Sequence, residues 1–583
     1  MHEFPIRIIE LSGRYGKIWV RWGWSSPSNR LGQADDSYHA GCGSGRGDLD
    51  RKATRCQAGF LLFAFGSGGC WTMVFQSILF ASAEEGKRKE PLEAPLFFSD
   101  LNLDQIIEKI TAPKKEYDLK PFFHFPLQNI EAIKYRQDIM RDLESQPLFD
   151  DINRFAGKMR SIRSRLTMID NLYYQLNKEG WFLQTVDAYC DAVNVLAHDL
   201  AAAPLNSRGL RALREYLISY VNSNRFSSLL TETKELKTRL SSIKYCLLIK
   251  DNRVRVRQYE SENDYSARVE EDFKRFQQGA VKDYRVSFAQ DAGMNHVEAK
   301  ILDLVARLYP EIFAALAEYC VKNAGFRDET IVALDREIQF YLAYLEHIAP
   351  LQRAGLTFCY PAVSDASKEV YDYEGFDLAL AHKLLSENSS VVCNDFYLQG
   401  PERVLVVSGP NQGGKTTFAR TFGQLHYLAA LGYPVPGREA KLFLFDQIFT
   451  HFEKEEDIKN LHGKLQDDLA RIHRILSRAT PNSIIILNEV FASTTLDDSI
   501  ALSKKIMEKI LRLDCLCVHV TFLVELASLS EKTVSMVSTV HPENLALRTF
   551  KILRRPADGL SYALSIAERH RLTYDCLKER LRS

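Results

Sequence analysis

The sequence predicts a multidomain protein in which a mostly helical region precedes an α/β domain of the nucleotide-binding P-loop kind. Three observations predict it. Through residues 100–361, apolar side chains recur at spacings of three and four, as one face of a helix requires. After Pro361 the texture changes to short continuous runs of β-branched residues between helical segments, the pattern of parallel strands covered on both faces. Directly after one such run, Gly409 to Thr416 reads GPNQGGKT, a match to G-x-x-x-x-G-K-[ST].

Length and composition bound the reading. A chain of 583 residues is too long for one hydrophobic core, and typical domain sizes give about four domains. The 75 Lys and Arg are balanced by 75 Asp and Glu, which excludes the overall positive field of a passive nucleic-acid-coating protein. DNA binding is therefore expected to be local. The eleven cysteines, among them Cys190, Cys246, Cys320, Cys359, Cys393 and Cys576, are scattered without a C-x-x-C pair, which reads as a reduced intracellular chain with no zinc site. The apolar run from Phe60 to Phe65 is far shorter than the roughly 20 residues of a bilayer span. A soluble, cytoplasmic protein with no membrane segment is expected.

Residues 1–72 hold twelve of the 30 glycines and four of the five tryptophans (Trp19, Trp22, Trp24 and Trp71), with no helical period and little strand continuity. They read as an atypical extension, either disordered or foreign to the natural chain, with Met73 as the expected start. The alternative is a Gly-rich, aromatic single-strand binder, but stacking platforms need a folded surface behind them. Residues 73–99 follow as a short linker.

From residue 100 to 361 the packing helices include IEAIKYRQDIMRDL (130–143), LRALREYLISYV (210–221) and ETIVALDREIQFYLAYLEHI (329–348). Between them NRVRVRQYES (252–261) alternates at period two, so one account is a long helical arm with a clamp-like excursion near 250–295. An ordinary helical bundle fits the composition equally well.

The α/β domain occupies residues 362–583, with strands expected in RVLVVSG (403–409), SIIILNEV (483–490) and CLCVHVTF (515–522). Gly409, Gly413 and Gly414 permit a tight loop whose N–H groups converge on phosphate oxygens at the positive end of the following helix. Pro410, Asn411, Gln412, Lys415, Thr416 and Thr417 complete the cradle. Lys415 is expected to reach the β and γ phosphates, and Thr416 to place its hydroxyl on Mg²⁺, which makes ATP and Mg²⁺ the expected cofactors. Glu489, at the end of IIILNEV, is placed to polarise attacking water or accept its proton; a structural capping carboxylate is the alternative. Asn488 stands where many ATPases place a Mg²⁺-associated aspartate, and is expected to meet the ion through water.

At these residues the chain resembles the MutS mismatch-repair family. The loop SGPNQGGKTT carries the family's asparagine at Asn411. FDQIFTHF (445–452), EEDI (455–458), LNEVFASTTLDDS (487–499), VELASL (524–529) and LSYALSIA (560–567) continue the resemblance. Upstream, FPLQNIEAIKYRQDIM (125–140) is similar to the start of the core or lever domain, through Pro126, Leu127, Ile130, Ile133, Arg136 and Gln137. CYPAVS (359–364) and VVCNDFYL (391–398), with Asn394 and Asp395, resemble the connection into the ATPase domain. The resemblance covers about residues 96–583. It implies an ATPase domain of the ABC/MutS type, Glu489 as general base, Asp498 near a dimer-facing loop, and a homodimer with composite sites acting on DNA.

The departures are specific. Asn488 replaces the aspartate of the family pattern, Phe522 stands where a histidine senses the γ phosphate, and Gly463 stands at a serine of the partner-contacting signature. Val391 falls where an aromatic ring stacks on adenine. A phenyl ring cannot make the sensor's hydrogen bond, and an amide lacks the carboxylate's charge, so nucleotide binding with slow hydrolysis is expected. Too few residues separate Met73 from Asp100 for a mismatch-recognition domain, so direct mispair reading is not expected. The leading reading is a dimeric ATPase coupling nucleotide state to DNA of unspecified structure. The alternatives are a switch or scaffold with a protein partner and, further off, a general P-loop enzyme such as a kinase.

Overall fold

The computed structural model describes residues 16–21, 75–82, 93–250, 253–260, 293–452, 463–491, 493–541, 543–557, 572–574, 577, 578 and 580. EEDI, LSYALSIA, most of the 250–295 stretch and all of residues 1–72 except Gly16–Arg21 lie outside them. Up to Arg353 the described chain is helical apart from one small sheet, and beyond it strands and helices mix. No helix among the described residues is long and apolar enough to cross a membrane.

Contacts divide the chain into two compact units. One comprises Met1–Val74, Gly157–His198 and Glu215–Asp328. Its interior is aromatic and hydrogen-bonded: Tyr189 and Tyr220 share a hydroxyl contact of 3.2 Å, and the Asp328 backbone N–H donates to the Tyr189 hydroxyl at 3.1 Å. Helix His296–Leu308 starts with a capping box. The Asn295 side chain accepts from the Glu298 N–H at 2.9 Å, and the Glu298 carboxylate accepts from the Asn295 N–H at 3.0 Å. The period-two segment is a strand, Arg253–Gln258, at the edge of a three-stranded antiparallel sheet with Lys244–Lys250 in the centre and Gly16–Arg21 on the far side.

The second unit comprises Phe75–Ala156, Asp199–Arg214 and Glu329–Ser583. It is built around a six-stranded sheet: β1 (Val404–Ser408), β2 (Ile448–His451), β3 (Ile484–Asn488), β4 (Leu516–Val520), β5 (Thr533–His541) and β6 (Asn544–Arg554). Their spatial order is β2-β3-β4-β1-β5-β6, parallel throughout except for the antiparallel β5–β6 hairpin. Every residue of β1, β3 and β4 is buried, which is why these runs are apolar without alternation. Three helices follow the strands: α1 (Lys415–Leu431), α2 (Lys464–Arg478) and α3 (Leu496–Leu513). On one face Val404, Val406, Ile485, Leu487, Phe491, Met507 and Ile510 form a continuous core.

Helix α1 is buried along nearly its whole length, so its polar residues need internal partners. Gln424 accepts from the Leu378 N–H at 3.0 Å and donates to the Leu101 carbonyl at 2.8 Å. At its C-terminus Gly432, with φ 84°, ends the helix, and the Tyr433 N–H returns to the Leu428 carbonyl at 3.1 Å. Two residues of the 125–140 segment then brace the unit from helix Ile130–Leu143. Arg136 donates to the carbonyls of Leu79 at 3.0 Å and Leu431 at 3.1 Å, and Gln137 donates to Pro361 at 3.2 Å. The Arg136 guanidinium also lies 4.9 Å from the centre of the Phe340 ring, so this buried charge is both hydrogen-bonded and stacked.

A second, four-stranded sheet orders Ala362–Ser364, Glu439–Phe443, Val370–Gly375 and Asn394–Leu398. Within it Asp372 is fully buried and neither carboxyl oxygen has a hydrogen-bond partner among the described residues. Side chains at Gly375 or Gly437 would overlap it. Burial, and then the charge of Asp395, push its pKa well above the ordinary carboxylate range. A raised folded value means that its contribution is fully present below about pH 4, the unfolded range, and is lost as the pH rises towards the folded value. Relative to Asp372→Asn, the wild type should therefore lose up to about 1.4 kcal/mol per pH unit above that range. Melting curves of both proteins from pH 5 to 8.5 check this: the gap between them should widen by a few degrees per pH unit, and parallel curves would show that Asp372 ionises freely.

Candidate functional site

The site is assembled at the carboxyl ends of β1, β3 and β4, where an open parallel sheet presents its crevice. The chain leaves β1 at Ser408 and turns sharply at Gly409, with φ 120°. A Cβ there would lie 2.9 Å from the Ser538 carbonyl oxygen and 3.1 Å from its nitrogen, so both conformation and space require glycine. Ser538, on β5, donates from its hydroxyl to the Gly413 carbonyl at 2.7 Å, locking the far limb of the loop. Gly414, with φ 88°, precedes α1, and no side chain caps the first turn. The loop thus runs directly into the first turn of α1, whose leading N–H groups have no side-chain cap.

Lys415 opens α1 with its side chain only 4% exposed. Its ammonium donates to the carbonyls of Gly409 and Pro410, both at 3.1 Å, and lies 3.9 Å from the Glu489 carboxylate. The centre of the Phe522 ring is 4.2 Å away. Burial pushes the Lys415 pKa down, the Glu489 charge pulls it back up, and Arg548 lowers it again. Beside it the Thr416 hydroxyl donates to the Asn488 amide oxygen at 3.1 Å. Glu489 follows β3 in a left-handed conformation, φ 52°, and its N–H donates to the Val520 carbonyl at 2.9 Å. A non-glycine residue held there carries about 1–2 kcal/mol of strain, and the anchor to β4 is what fixes it.

The structure thus brings Lys415, Thr416, Asn488 and Glu489 together, with Phe522 over the ammonium. Asp498 does not join them through any bond described. It takes part in a reciprocal cap of α3, its carboxylate accepting from the Thr495 hydroxyl at 2.9 Å and its N–H donating back at 3.3 Å. Gly463 precedes α2 with open space around it. Nor does the histidine nearest in sequence to Phe522 reach the loop. His519 lies inside β4 with its Nδ1 3.4 Å from the Met507 sulfur, and burial pushes its pKa down to about 4.

Next to the loop is a cavity of about 650 Å³, lined by Gly414, Thr417, Phe418, Phe376, Val391 and Phe550 among others. Its volume and apolar walls are those of a small-molecule pocket. Asn394 is committed to the rim, accepting from the Ile552 N–H at 2.7 Å and donating to the Phe550 carbonyl at 3.1 Å. Among the described residues, no group of three or more His, Cys, Asp or Glu could hold a metal.

Ser538, Arg548 and Phe550, all on the β5–β6 hairpin, were not singled out in the sequence. The Arg548 Nε donates to the Asn411 carbonyl at 3.1 Å, across 137 residues of chain. The alternation in TVSMVSTVH could have located the strand; nothing local could have placed it against the loop.

Comparison with known proteins decides the kinship: residues 405–579 match the family model of MutS domain V. Over these residues the chain carries a domain of the MutS family. It is similar to the DNA mismatch repair protein MutS of Thermotoga neapolitana, 27% identical over 268 residues, which cover 45% of this chain and 31% of that protein. The same protein of Clostridium kluyveri is 28% identical over 295 residues, 49% of this chain and 33% of its own length. That of Shouchella clausii is 31% identical over 187 residues, 31% and 21% respectively. The chain spans at most about a third of the length of these relatives.

The tight contact of the loop at Gly409–Thr417 with β5 yields a prediction. Gly409→Ala forces a side chain against the Ser538 backbone at a left-handed φ, and should destabilise the protein by about 1–3 kcal/mol while weakening nucleotide binding. Denaturant titration together with nucleotide titration checks it; unchanged stability would mean that the loop is not held against β5 as described.

Proposed function

We propose that this MutS-family chain binds ATP at residues 409–417 and couples nucleotide state, with slow hydrolysis, to DNA binding. The observation that carries the reading is the meeting of Lys415, Thr416, Asn488 and Glu489 at one loop-and-strand junction beside an apolar cavity. A triphosphate suits the glycine cradle and the uncapped helix start, and a nucleoside suits the cavity. On binding, the Lys415 ammonium exchanges its two loop carbonyls for the β and γ phosphates. Glu489 orients a water for in-line attack and accepts its proton.

The donor set also fits Mg²⁺. The Thr416 hydroxyl and the Asn488 amide oxygen offer two adjacent oxygens, suited to an ion that keeps several waters and is otherwise held by phosphates. When bound with the nucleotide, the ion would neutralise charge on the β and γ oxygens. Both protein oxygens are neutral, so this chain attracts it more weakly than a carboxylate would.

DNA is proposed as the ligand because the relatives are named for DNA mismatch repair and because the neutral chain carries a local cationic strand. Arg253, Arg255 and Arg257 alternate along the edge strand Arg253–Gln258, the first two exposed. Phosphate contacts of this kind supply affinity without base reading. In this proposal residues 100–361 act as the core and lever, the stretch near 250–295 as the clamp-like arm, and residues 362–583 as the ATPase and dimerisation domain of a cytoplasmic homodimer. A second reading, a nucleotide-dependent switch with little turnover and a protein partner, is favoured by the Phe522 ring over Lys415 and by Asn488.

Lys415→Ala should weaken ATP binding at least about tenfold, the equivalent of one charge-assisted hydrogen bond, with the fold retained. Calorimetry checks it, and unchanged affinity would remove the loop from consideration. Single-turnover hydrolysis separates the two readings. Wild type should turn over below the typical range of about 1–1000 per second, Glu489→Gln should trap bound ATP, and Asn488→Asp should preserve or raise the rate. Equal rates for wild type and Glu489→Gln would make the switch the leading function. Mobility-shift titrations with duplex, mismatched and branched DNA should lose affinity and salt dependence in the Arg253→Glu, Arg255→Glu double variant.

A further inference from the structure

A second cavity, of about 450 Å³, lies where helix Leu103–Thr111, helix Leu378–Ser386 and the first turns of α1 converge. It adjoins the apolar cavity, sharing Asp377, Leu380 and Thr417 with it, but neither Lys415 nor Glu489 nor any phenyl ring lines it. Its walls are charged instead. Lys109 comes from the last turn of the first helix, Lys383 from the last turn of the second, and Arg420 from α1, three residues beyond Thr417.

These cations are poorly compensated from within the fold. Lys109 and Lys383 are exposed, and neither makes an ion pair or a side-chain hydrogen bond among the described residues. Arg420 donates from Nε to the Asp100 carbonyl at 2.9 Å and lies 5.5 Å from the centre of the Phe452 ring, so both of these partners are uncharged. The one carboxyl among the lining residues, Asp377, is committed as a helix cap, its Oδ1 accepting from the Leu380 N–H at 2.9 Å. Burial raises its pKa against the pull of that N–H, Gln424 and Arg420, so its charged form is disfavoured. His382, also in the wall, has a buried Nε2 with no hydrogen-bond partner among the described residues. Its ring lies 3.9 Å from that of His347, whose Nε2 is equally unpartnered. Burial, and then the charge of Lys109, push the His382 pKa down to about 4, which leaves a neutral imidazole able to donate one N–H. Buried polar atoms without partners are uncommon and costly, and this one borders a cavity with an excess of positive charge.

We propose that this cavity is a second anion site, separate from the loop at Gly409–Thr417, which takes a small polyanion of the phosphate or pyrophosphate type between Lys109, Lys383 and Arg420, with His382 as a neutral donor. Such a ligand gives the two ammonium groups a counter-charge and matches the planar donor fork of the guanidinium. Its oxygens also offer an acceptor to the imidazole. The volume is in the range of small-molecule sites. The site does not rest on the reading that residues 409–417 bind ATP. It differs from a purely structural role, in which the two lysines are only the solvated ends of their helices and bind no anion in particular.

The test is calorimetric titration of the full chain with sodium pyrophosphate in EDTA, for wild type, Lys415→Ala, the double variant Lys109→Gln with Lys383→Gln, and all three changes combined. Lys415→Ala should keep one pyrophosphate site, and adding the two glutamines should weaken that site at least about tenfold, the scale of one charge-assisted hydrogen bond. The double variant should melt with the wild type, since neither lysine bonds within the fold; should it melt lower, the two single variants carry the same comparison, each expected to weaken the site about threefold. A Lys415→Ala chain that binds no pyrophosphate, or binds it equally well with and without the two lysines, would overturn the proposal. Saturating ATP should leave one pyrophosphate site open in the wild type. Loss of every site under ATP would assign these cations to the nucleotide's own phosphates and overturn the separate site. A wild type that binds no ATP would overturn the ATP reading alone, because the titration of Lys415→Ala with and without the lysines decides this site independently.

Discussion

The burial of one ammonium, that of Lys415, is the constraint from which the rest of the site follows. A charge taken out of water has to be surrounded by compensating groups, and here they are two loop carbonyls, a carboxylate and the face of a phenyl ring. Each partner imposes a condition on the backbone. The carbonyls of Gly409 and Pro410 converge only because the loop turns back at a left-handed glycine pressed against Ser538. Glu489 reaches its place only because β3 ends in a left-handed residue tied to β4. Phe522 covers the ammonium because β4 lies between β3 and β1, so that the segment leaving β4 passes between the two loops. The strand order is thus what makes a single buried charge solvable.

Such a loop needs a rigid floor, and α1 provides it by being buried almost throughout. A helix without a wet face has to satisfy its polar groups internally, which explains the double role of Gln424 and the insertion of Arg136 at the helix end. The segment around Arg136 is accordingly part of the foundation of the loop at Gly409–Thr417, although it lies nearly 300 residues away in sequence, the separation of Arg136 from Leu431 being 295. Changes there are felt at the site through packing and not through contact with ligand.

What could be read in advance follows the range of the interactions. Helix Ile130–Leu143, strands β1, β3 and β4, and the loop itself were legible because local periodicity and one motif encode them. Helix Glu329–Arg353 runs past the expected end at Ile348 and includes Pro350, tolerable because tertiary packing of Ile348 and Leu351 outweighs the missing donor in the last turn. Asp498 was expected at a dimer-facing loop; its hydrogen bonds within the chain are those of an ordinary cap, which no motif could distinguish. The hairpin that closes the site went unread because its meaning lies in contacts spanning 125 and 137 residues. Asp372 was equally silent, since a buried and unpartnered carboxyl looks in sequence like any strand-borne aspartate.

The departures from the family pattern gain coherence when they are considered as one charge balance. Replacing a carboxylate by the Asn488 amide weakens the pull on a divalent cation, but it also removes a negative charge that would repel a polyphosphate. Covering Lys415 with Phe522 keeps the ammonium desolvated, which sharpens its interaction with an anion while withholding a hydrogen bond from the terminal phosphate. Both changes act in one direction: in the proposed function they favour holding the nucleotide over stabilising the charge that develops as it is cleaved. Binding energy realised equally before and during reaction does not accelerate the chemical step. If ATP is bound as proposed, a chain with such a site spends most of its cycle with the nucleotide bound, and the lifetime of the bound state, more than the rate of cleavage, is what it would report.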